Sequence, residues 1–122
     1  NLTRDASLAA ALVLSHLAAR QAGPQELLGS RTRYSMVKRK ASRPAGGAEQ
    51  AFAALERESG AGAEFDHVDG LRIVWPAVRE WVHVRASGTE PILRIIAESP
   101  HATRAEELAD WASSHVDALG AE

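Results

Sequence analysis

Apolar and polar positions change rhythm three times along the chain. From Asp5 to Ala22 the apolar residues Leu8, Ala9, Ala10, Ala11, Leu12, Val13, Leu14 and Leu17 run almost all the way round a helical wheel. They leave a narrow polar strip at His16 and Arg20. Thr3 or Asp5 is placed to cap the start of this helix, and Gly23-Pro24 to stop it with a left-handed cap. A helix apolar nearly all round is normally enclosed by other elements. The rest of the chain is too short to enclose it and also build its own core. Residues 1–29 are therefore expected to be the terminal helix of a preceding domain, against a competing reading as a helix swapped between copies.

Residues 30–46 read as a linker and first strand. Tyr34, Met36 and Val37 indicate the strand, and Pro44, Gly46 and Gly47 mark a loop. From residue 47 to 122 the rhythm is that of a small α+β unit. Ala48, Ala51, Phe52 and Leu55 recur at helical spacing up to Gly60. Two short apolar runs, Phe65 to Val68 and Leu71 to Trp75, flank Asp69-Gly70, which predicts a tight two-residue hairpin. Pro76 closes the second run. Trp81 to Arg85 and Ile92 to Ala97 form a further pair of strands around a polar loop. The last helix is expected from Thr103 to Leu119, with Thr103 and Glu106 as a capping box. Its buried stripe is Ala105, Leu108, Ala109, Ala112, Val116 and Leu119. Roughly four mostly antiparallel strands with two helices on one face is the architecture this order favours.

Composition narrows the class of function. The chain has 122 residues, 45% hydrophobic and 25% charged, the balance of an ordinary globular protein. Its net charge of −2 gives no whole-chain case for nucleic acid or an anionic membrane. Without Cys there is no disulfide framework, thiolate metal site or thiol nucleophile, which fits a reducing compartment. The longest apolar run, Leu8 to Leu14, is too short to span a bilayer. Read as a signal peptide, the first segment is spoiled by Asp5 and by the polar His16 and Arg20.

The residues that carry chemistry are Arg85-Ala86-Ser87-Gly88-Thr89-Glu90-Pro91 and Arg94. Alternation along the strand places Trp81, His83 and Arg85 on one face, with Val82 and Val84 turned to the core. Arg85 thus reaches the loop on the open face. Ser87 and Thr89 add hydroxyl donors, Gly88 leaves room for a close backbone approach, and Arg94 supplies a second guanidinium. Successive backbone N–H groups in such a turn form an anion-binding concavity. A fork of arginine, hydroxyl and N–H donors suits the several oxygens of a phosphate. Glu90 is out of place beside a dianion unless it braces an arginine or faces away.

The stretch Trp81-Val82-His83-Val84-Arg85-Ala86-Ser87-Gly88-Thr89-Glu90-Pro91-Ile92-Leu93-Arg94-Ile95-Ile96-Ala97-Glu98 resembles the phosphate-binding loop and flanking strands of the α-D-phosphohexomutases. Asp69-Gly70-Leu71-Arg72-Ile73 and the apolar helix before a basic joint are similar to that family too. The resemblance is sharp from Asp69 to Glu98. It implies a TATA-box-binding-protein-like last domain in which Arg85, Ser87, Gly88, Thr89 and, as an auxiliary contact, Arg94 hold the phosphate that is not being transferred. The implied reaction interconverts hexose 1- and 6-phosphates. It needs a phosphoserine and Mg²⁺, both expected in upstream domains of the same polypeptide, because this chain lacks the Ser-His-Asn-Pro, Asp-x-Asp-x-Asp and Gly-Glu-x-Ser-Gly-His patterns. The chain is accordingly expected to be a C-terminal piece of a cytoplasmic enzyme, inactive alone, with no catalytic residue, metal or cofactor of its own. Its expected partners are a phosphosugar and those upstream domains, with neither nucleic acid nor membrane.

Remaining chemistry-bearing residues have plainer readings. His16, His67, His83, His101 and His115 share no short metal-ligand spacing. Trp75, Trp81 and Trp111 read as core or domain-contact anchors. Ser114-His115 reads as the polar face of the last helix, and Glu49, Glu56, Glu58, Glu106, Glu107 and Asp110 as solvated helix faces. The basic run Arg31, Arg33, Lys38, Arg39, Lys40 and Arg43 reads as a solvated strand edge. The alternative to a mutase domain is a small interaction module docking through the first helix. Another is a nucleic-acid-binding module using Arg31 to Arg43, Arg72 and Arg79 over an open sheet face with Trp75 and Trp81.

Overall fold

A computed structural model describes residues 5–29 and 32–120. The chain forms two compact units, 1–32 and 33–122. In the first, α1 (Ala6–Arg20) is capped by Asp5, whose carboxylate accepts from the Leu8 N–H at 2.9 Å. Thr3, the other cap considered, lies outside the described residues, as do Ser30 and Arg31 of the expected linker. The helix ends earlier than Gly23: Gln21 takes the left-handed conformation at φ 50°, and its N–H bonds back to the Ala18 and Leu17 carbonyls. Gly23 and Pro24 instead open a second short helix, α2 (Pro24–Gly29), with the Glu26 carboxylate accepting from the Gly23 N–H. Proline suits a first helical turn, whose N–H groups have no partner within the helix. Of the described residues of α1 only Leu17 is buried, and Leu8, Leu12, Val13 and Leu14 are each half or more exposed.

The second unit is an α+β sandwich of one sheet and two helices. Its strands are β1 (Ser35–Ser42), β2 (Glu64–Asp66), β3 (Leu71–Trp75), β4 (Glu80–Ala86) and β5 (Ile92–Ser99). They pair antiparallel in the order β1-β5-β4-β3-β2, so the sheet has five strands rather than four. The edge strand β2 has three residues and is shorter than its expected Phe65 to Val68 run. Helices α3 (Gly47–Glu58) and α4 (Ala102–Gly120) supply the other layer. Ala51, Phe52 and Leu55 of α3 and Leu108, Ala109, Ala112 and Val116 of α4 pack with Ala41, Leu71, Ile73, Val82, Val84, Leu93, Ile95 and Ala97 of the sheet. The alternation expected for β4 holds, with Val82 and Val84 fully buried.

Several local details depart from expectation. The β2–β3 connection is longer than two residues, and of Asp69 and Gly70 only Gly70 has positive φ. The Asp66 carboxylate accepts from the Val68 N–H at 2.9 Å, an Asx turn that shapes the loop from its first residue. The Thr103–Glu106 capping box does not form. Instead α4 begins at Ala102, where the Ser99 hydroxyl accepts from the His101 N–H and the His101 carbonyl from the Ala105 N–H. Glu106 and Asp110 are not merely solvated, for both accept from Arg39 of β1, at 3.0 and 2.9 Å. The hydrogen bond to Asp110, opposed by desolvation and helped by Glu106, raises the Arg39 pKa above its ordinary value. Trp75 and Trp111 meet edge to face at the core margin, and His115 stacks beside Trp111 and bonds its carbonyl, so His115 is half-buried rather than on a polar face. Trp81 is no core residue; it lies on the open face under the Arg72 guanidinium, 4.8 Å from the ring centre.

Candidate functional site

The face of the sheet turned away from α3 and α4 is set by strand alternation and register. Arg85 on β4 stands directly opposite Arg94 on β5, and Arg94 directly opposite Lys40 on β1. One residue pair further in, His83 faces Ile96 and Ile96 faces Lys38. Three like charges abreast across adjacent strands oppose folding, because directly opposed side chains are within interaction distance. The row therefore needs negative charge from somewhere.

Two carboxylates supply part of it. Asp69 Oδ2 lies 3.4 Å from Arg85 Nη1, and the Asp69 carbonyl accepts from His83 Nε2. This loop approaches β4 closely because Gly70 has no side chain: a Cβ there would collide with the Val84 carbonyl oxygen and come within 2.9 Å of Arg85 Cβ. Glu90 Oε2 lies 3.6 Å from Arg94 Nη2 and 3.9 Å from Lys40 Nζ. Glu90 thus braces a cation, which resolves its presence in the loop. Each of these contacts is single and long, not the parallel two-bond fork that arginine makes with a well-placed carboxylate. Among the described residues, the other N–H donors of both guanidinium groups have no hydrogen-bond partner.

Between these side chains lies an open cleft of about 350 Å³, lined by Lys38, Lys40, Arg85, Arg94 and Ile96 among others. The loop Ser87–Pro91 joins β4 to β5 just beyond Arg85 and Arg94, and its residues are not among those that line the cleft. The Ser87 N–H bonds the Ile92 carbonyl at 3.0 Å, and the Arg43 N–H bonds the Pro91 carbonyl at 3.1 Å, so both loop ends are held by backbone. Ser87 is only 7% exposed, and its hydroxyl oxygen is buried with no hydrogen-bond partner among the described residues. Gly88 is exposed, with no positive φ and nothing within 4 Å of where its Cβ would stand. Neither strain nor packing within the chain requires glycine at 88. Thr89 is exposed beside it.

The sequence-predicted residues are thus brought together in part. Arg85 and Arg94 share one cleft with Lys38 and Lys40, which come from a strand read only as a solvated edge, while Ser87, Gly88 and Thr89 lie in the adjoining β4–β5 loop and do not line it. Asp69 was missed as the partner of Arg85. The signal for both was parity: Lys38 and Lys40 have the spacing of one sheet face, and Asp-Gly before a strand brings a carboxylate to its neighbour. A second cleft of about 310 Å³ on the same face is lined by Asp66, Val68, Asp69, Arg72, Trp81 and His83. Among the described residues no three His, Asp or Glu side chains cluster as a metal site, and no helix is long and apolar enough to cross a membrane.

Fold and face together define a class, a small α+β domain presenting a cationic trough and a held loop on the sheet face turned away from its helices. Residues 36–112 match the family described as phosphoglucomutase/phosphomannomutase, C-terminal domain, and the chain belongs to that family. The match begins inside β1 and excludes α1 and α2. The chain is also similar to a phosphoglucosamine/phosphogalactosamine mutase of Sulfurisphaera tokodaii, 35% identical over 98 residues. That alignment covers 79% of this chain and 21% of the relative, so the chain spans about a fifth of that enzyme's length.

Proposed function

We propose that this chain is the phosphate-anchoring C-terminal part of a cytoplasmic phosphohexomutase and holds the phosphate of a hexose phosphate that is not being transferred. The register of Arg85 against Arg94 carries the reading. Two guanidinium groups abreast, each with one long carboxylate contact, leave unused donors converging on one cleft. An anion there relieves the repulsion and takes up the donors together. Ser87 adds an unpartnered hydroxyl, and Gly88 leaves the loop backbone bare where the chain itself does not need it bare. Arg85 and Arg94 orient the phosphate, while Ser87, Thr89 and the loop N–H groups serve its remaining oxygens.

Anchoring the far phosphate fixes the sugar while chemistry proceeds at its other end. Such transfers depend chiefly on positioning and charge stabilisation. In this reading the phosphoserine and the Mg²⁺ that supply the phosphoryl chemistry belong to other domains of the parent polypeptide. The exposed apolar helix α1 belongs to the domain that precedes this one. The chain alone anchors but does not catalyse.

An amide NMR titration with glucose 1-phosphate and with inorganic phosphate tests the reading. Saturable shifts centred on Ser87 to Arg94 are expected. Arg85→Ala removes a charge-assisted contact of about 1.5–3 kcal/mol, roughly a tenfold to hundredfold loss of affinity. Unchanged binding in that variant refutes the anchor. Salt-steep binding of single-stranded nucleic acid in place of phosphosugar binding would favour the rival module.

A further inference from the structure

We infer that Lys38 and Lys40 of β1 give the trough its net positive charge and thereby draw a phosphate dianion onto the arginine pair. The inference rests on the phosphate-anchor reading and assigns new residues to the same site. Alternation along β1 separates the two lysines from their neighbour. All three residues border the cleft, but the Arg39 guanidinium is held by Asp110 and Glu106 of α4, whereas Lys38 and Lys40 are exposed and lie on the Arg94 face.

Counting charge around that cleft shows why the lysines matter. Arg85 is matched by Asp69, and Arg94 by Glu90, which Lys40 shares at 3.9 Å. Lys38 has no ion pair among the described residues. Four cations against two carboxylates leave two positive charges, and a phosphate monoester near neutrality carries about −1.5 to −2. With the lysines removed, arginines and carboxylates balance, and the trough keeps its donors but loses its attraction. The division of labour is that arginines orient and lysines attract. Strands lie about 4.8 Å apart, so β1 is two steps, roughly 10 Å, from β4. That is close to the Debye length at about 0.1 M salt, so the lysine contribution is felt at low salt and screened at high salt.

The test is a titration of the 122-residue chain with inorganic phosphate and with glucose 1-phosphate, at low and at high sodium chloride. Lys38→Ala with Lys40→Ala is expected to weaken binding about threefold to tenfold at low salt, with the gap closing at high salt. Lys38→Arg with Lys40→Arg is expected to restore it, since charge and not ammonium geometry is required. Thermal melting of each variant reports that the fold is intact. Wild-type affinity in the double alanine variant overturns the inference. So does an equal loss at both salts without rescue by arginine, which marks a structural role. Arg85→Ala, run alongside, separates the two layers: if it binds phosphate normally the anchor reading itself falls. If Arg85→Ala loses binding while the lysine variant keeps it, the lysine assignment alone falls.

Discussion

The two faces of one sheet treat charge in opposite ways. On the covered face Arg39, Glu80 and Arg104 are closely partnered. Arg39 makes two bonds of 2.9 and 3.0 Å to α4. Glu80, 6% exposed, accepts from the Ser99 hydroxyl and from Arg104 Nε, each at 3.1 Å, and Arg104 also reaches Glu107. The hydrogen bond to Glu107, opposed by desolvation and helped by Glu80, raises the Arg104 pKa. A raised arginine pKa adds stability that is lost only as pH climbs through it, far above neutrality, so these arginines keep their charge at any working pH. On the open face, cations stand opposite cations, and their carboxylates lie 3.4 to 3.9 Å away. One face settles its charges to hold the helices, and the other leaves a surplus beside a loop. That surplus, kept against its own repulsion, is the feature on which the proposed phosphate anchor rests.

The sharpest separation of the faces comes from a deletion in the covered one. Leu55 is fully buried in the core, and Leu55→Ala is expected to lower unfolding free energy by about 2–5 kcal/mol in a denaturant titration. Phosphate affinity of the remaining folded fraction should not change. An altered affinity would mean that the open face does not stand independently of the core beneath it.

A pair of glycines divides the two roles within the open face. Gly70→Ala places a side chain at φ 86° and into the backbone of β4, and is expected to cost at least about 1–3 kcal/mol of stability. Gly88→Ala meets no atom of the chain and is expected to leave the melting temperature in place while weakening phosphate binding several-fold. Melting curves with paired titrations check both. A stability loss at Gly88 equal to that at Gly70 would assign the loop a structural role only.

How much of this was legible in the sequence follows from which signals are local. Strands and the last two helices were legible because the apolar period fixes them, and the face assignment of Val82 and Val84 against Arg85 followed from alternation alone. The Ser87-Gly88-Thr89 loop was legible because hydroxyls, glycine and arginine fall within one short stretch. What escaped depended on distant partners. Arg39, Glu106 and Asp110 lie on β1 and α4, and no local pattern says that an arginine beside two lysines turns to a helix far along the chain. Lys38 and Lys40 enter the trough only because β1 pairs with β5, a neighbour more than fifty residues away. Of the caps, Asp5 was legible and two others were not: Gln21 ends α1 in a left-handed backbone conformation ahead of Gly23, and α4 starts from Ser99 and His101 rather than from Thr103.

The smallest expected effect is the most discriminating. Asp69→Asn keeps an oxygen that can accept from Arg85 but removes the charge. An exposed pair at 3.4 Å contributes at most about 1 kcal/mol, so stability should fall only slightly, through the repulsion between Arg85 and Arg94 that Asp69 no longer offsets. Phosphate affinity should move the other way and rise by a factor of about two to five, because one competing negative charge has left the trough. Opposite signs in the two measurements would show that the open face gives up stability for attraction. A fall in affinity would instead make Asp69 the group that orients Arg85, and the test for that is whether Asp69→Glu restores binding where Asp69→Asn does not.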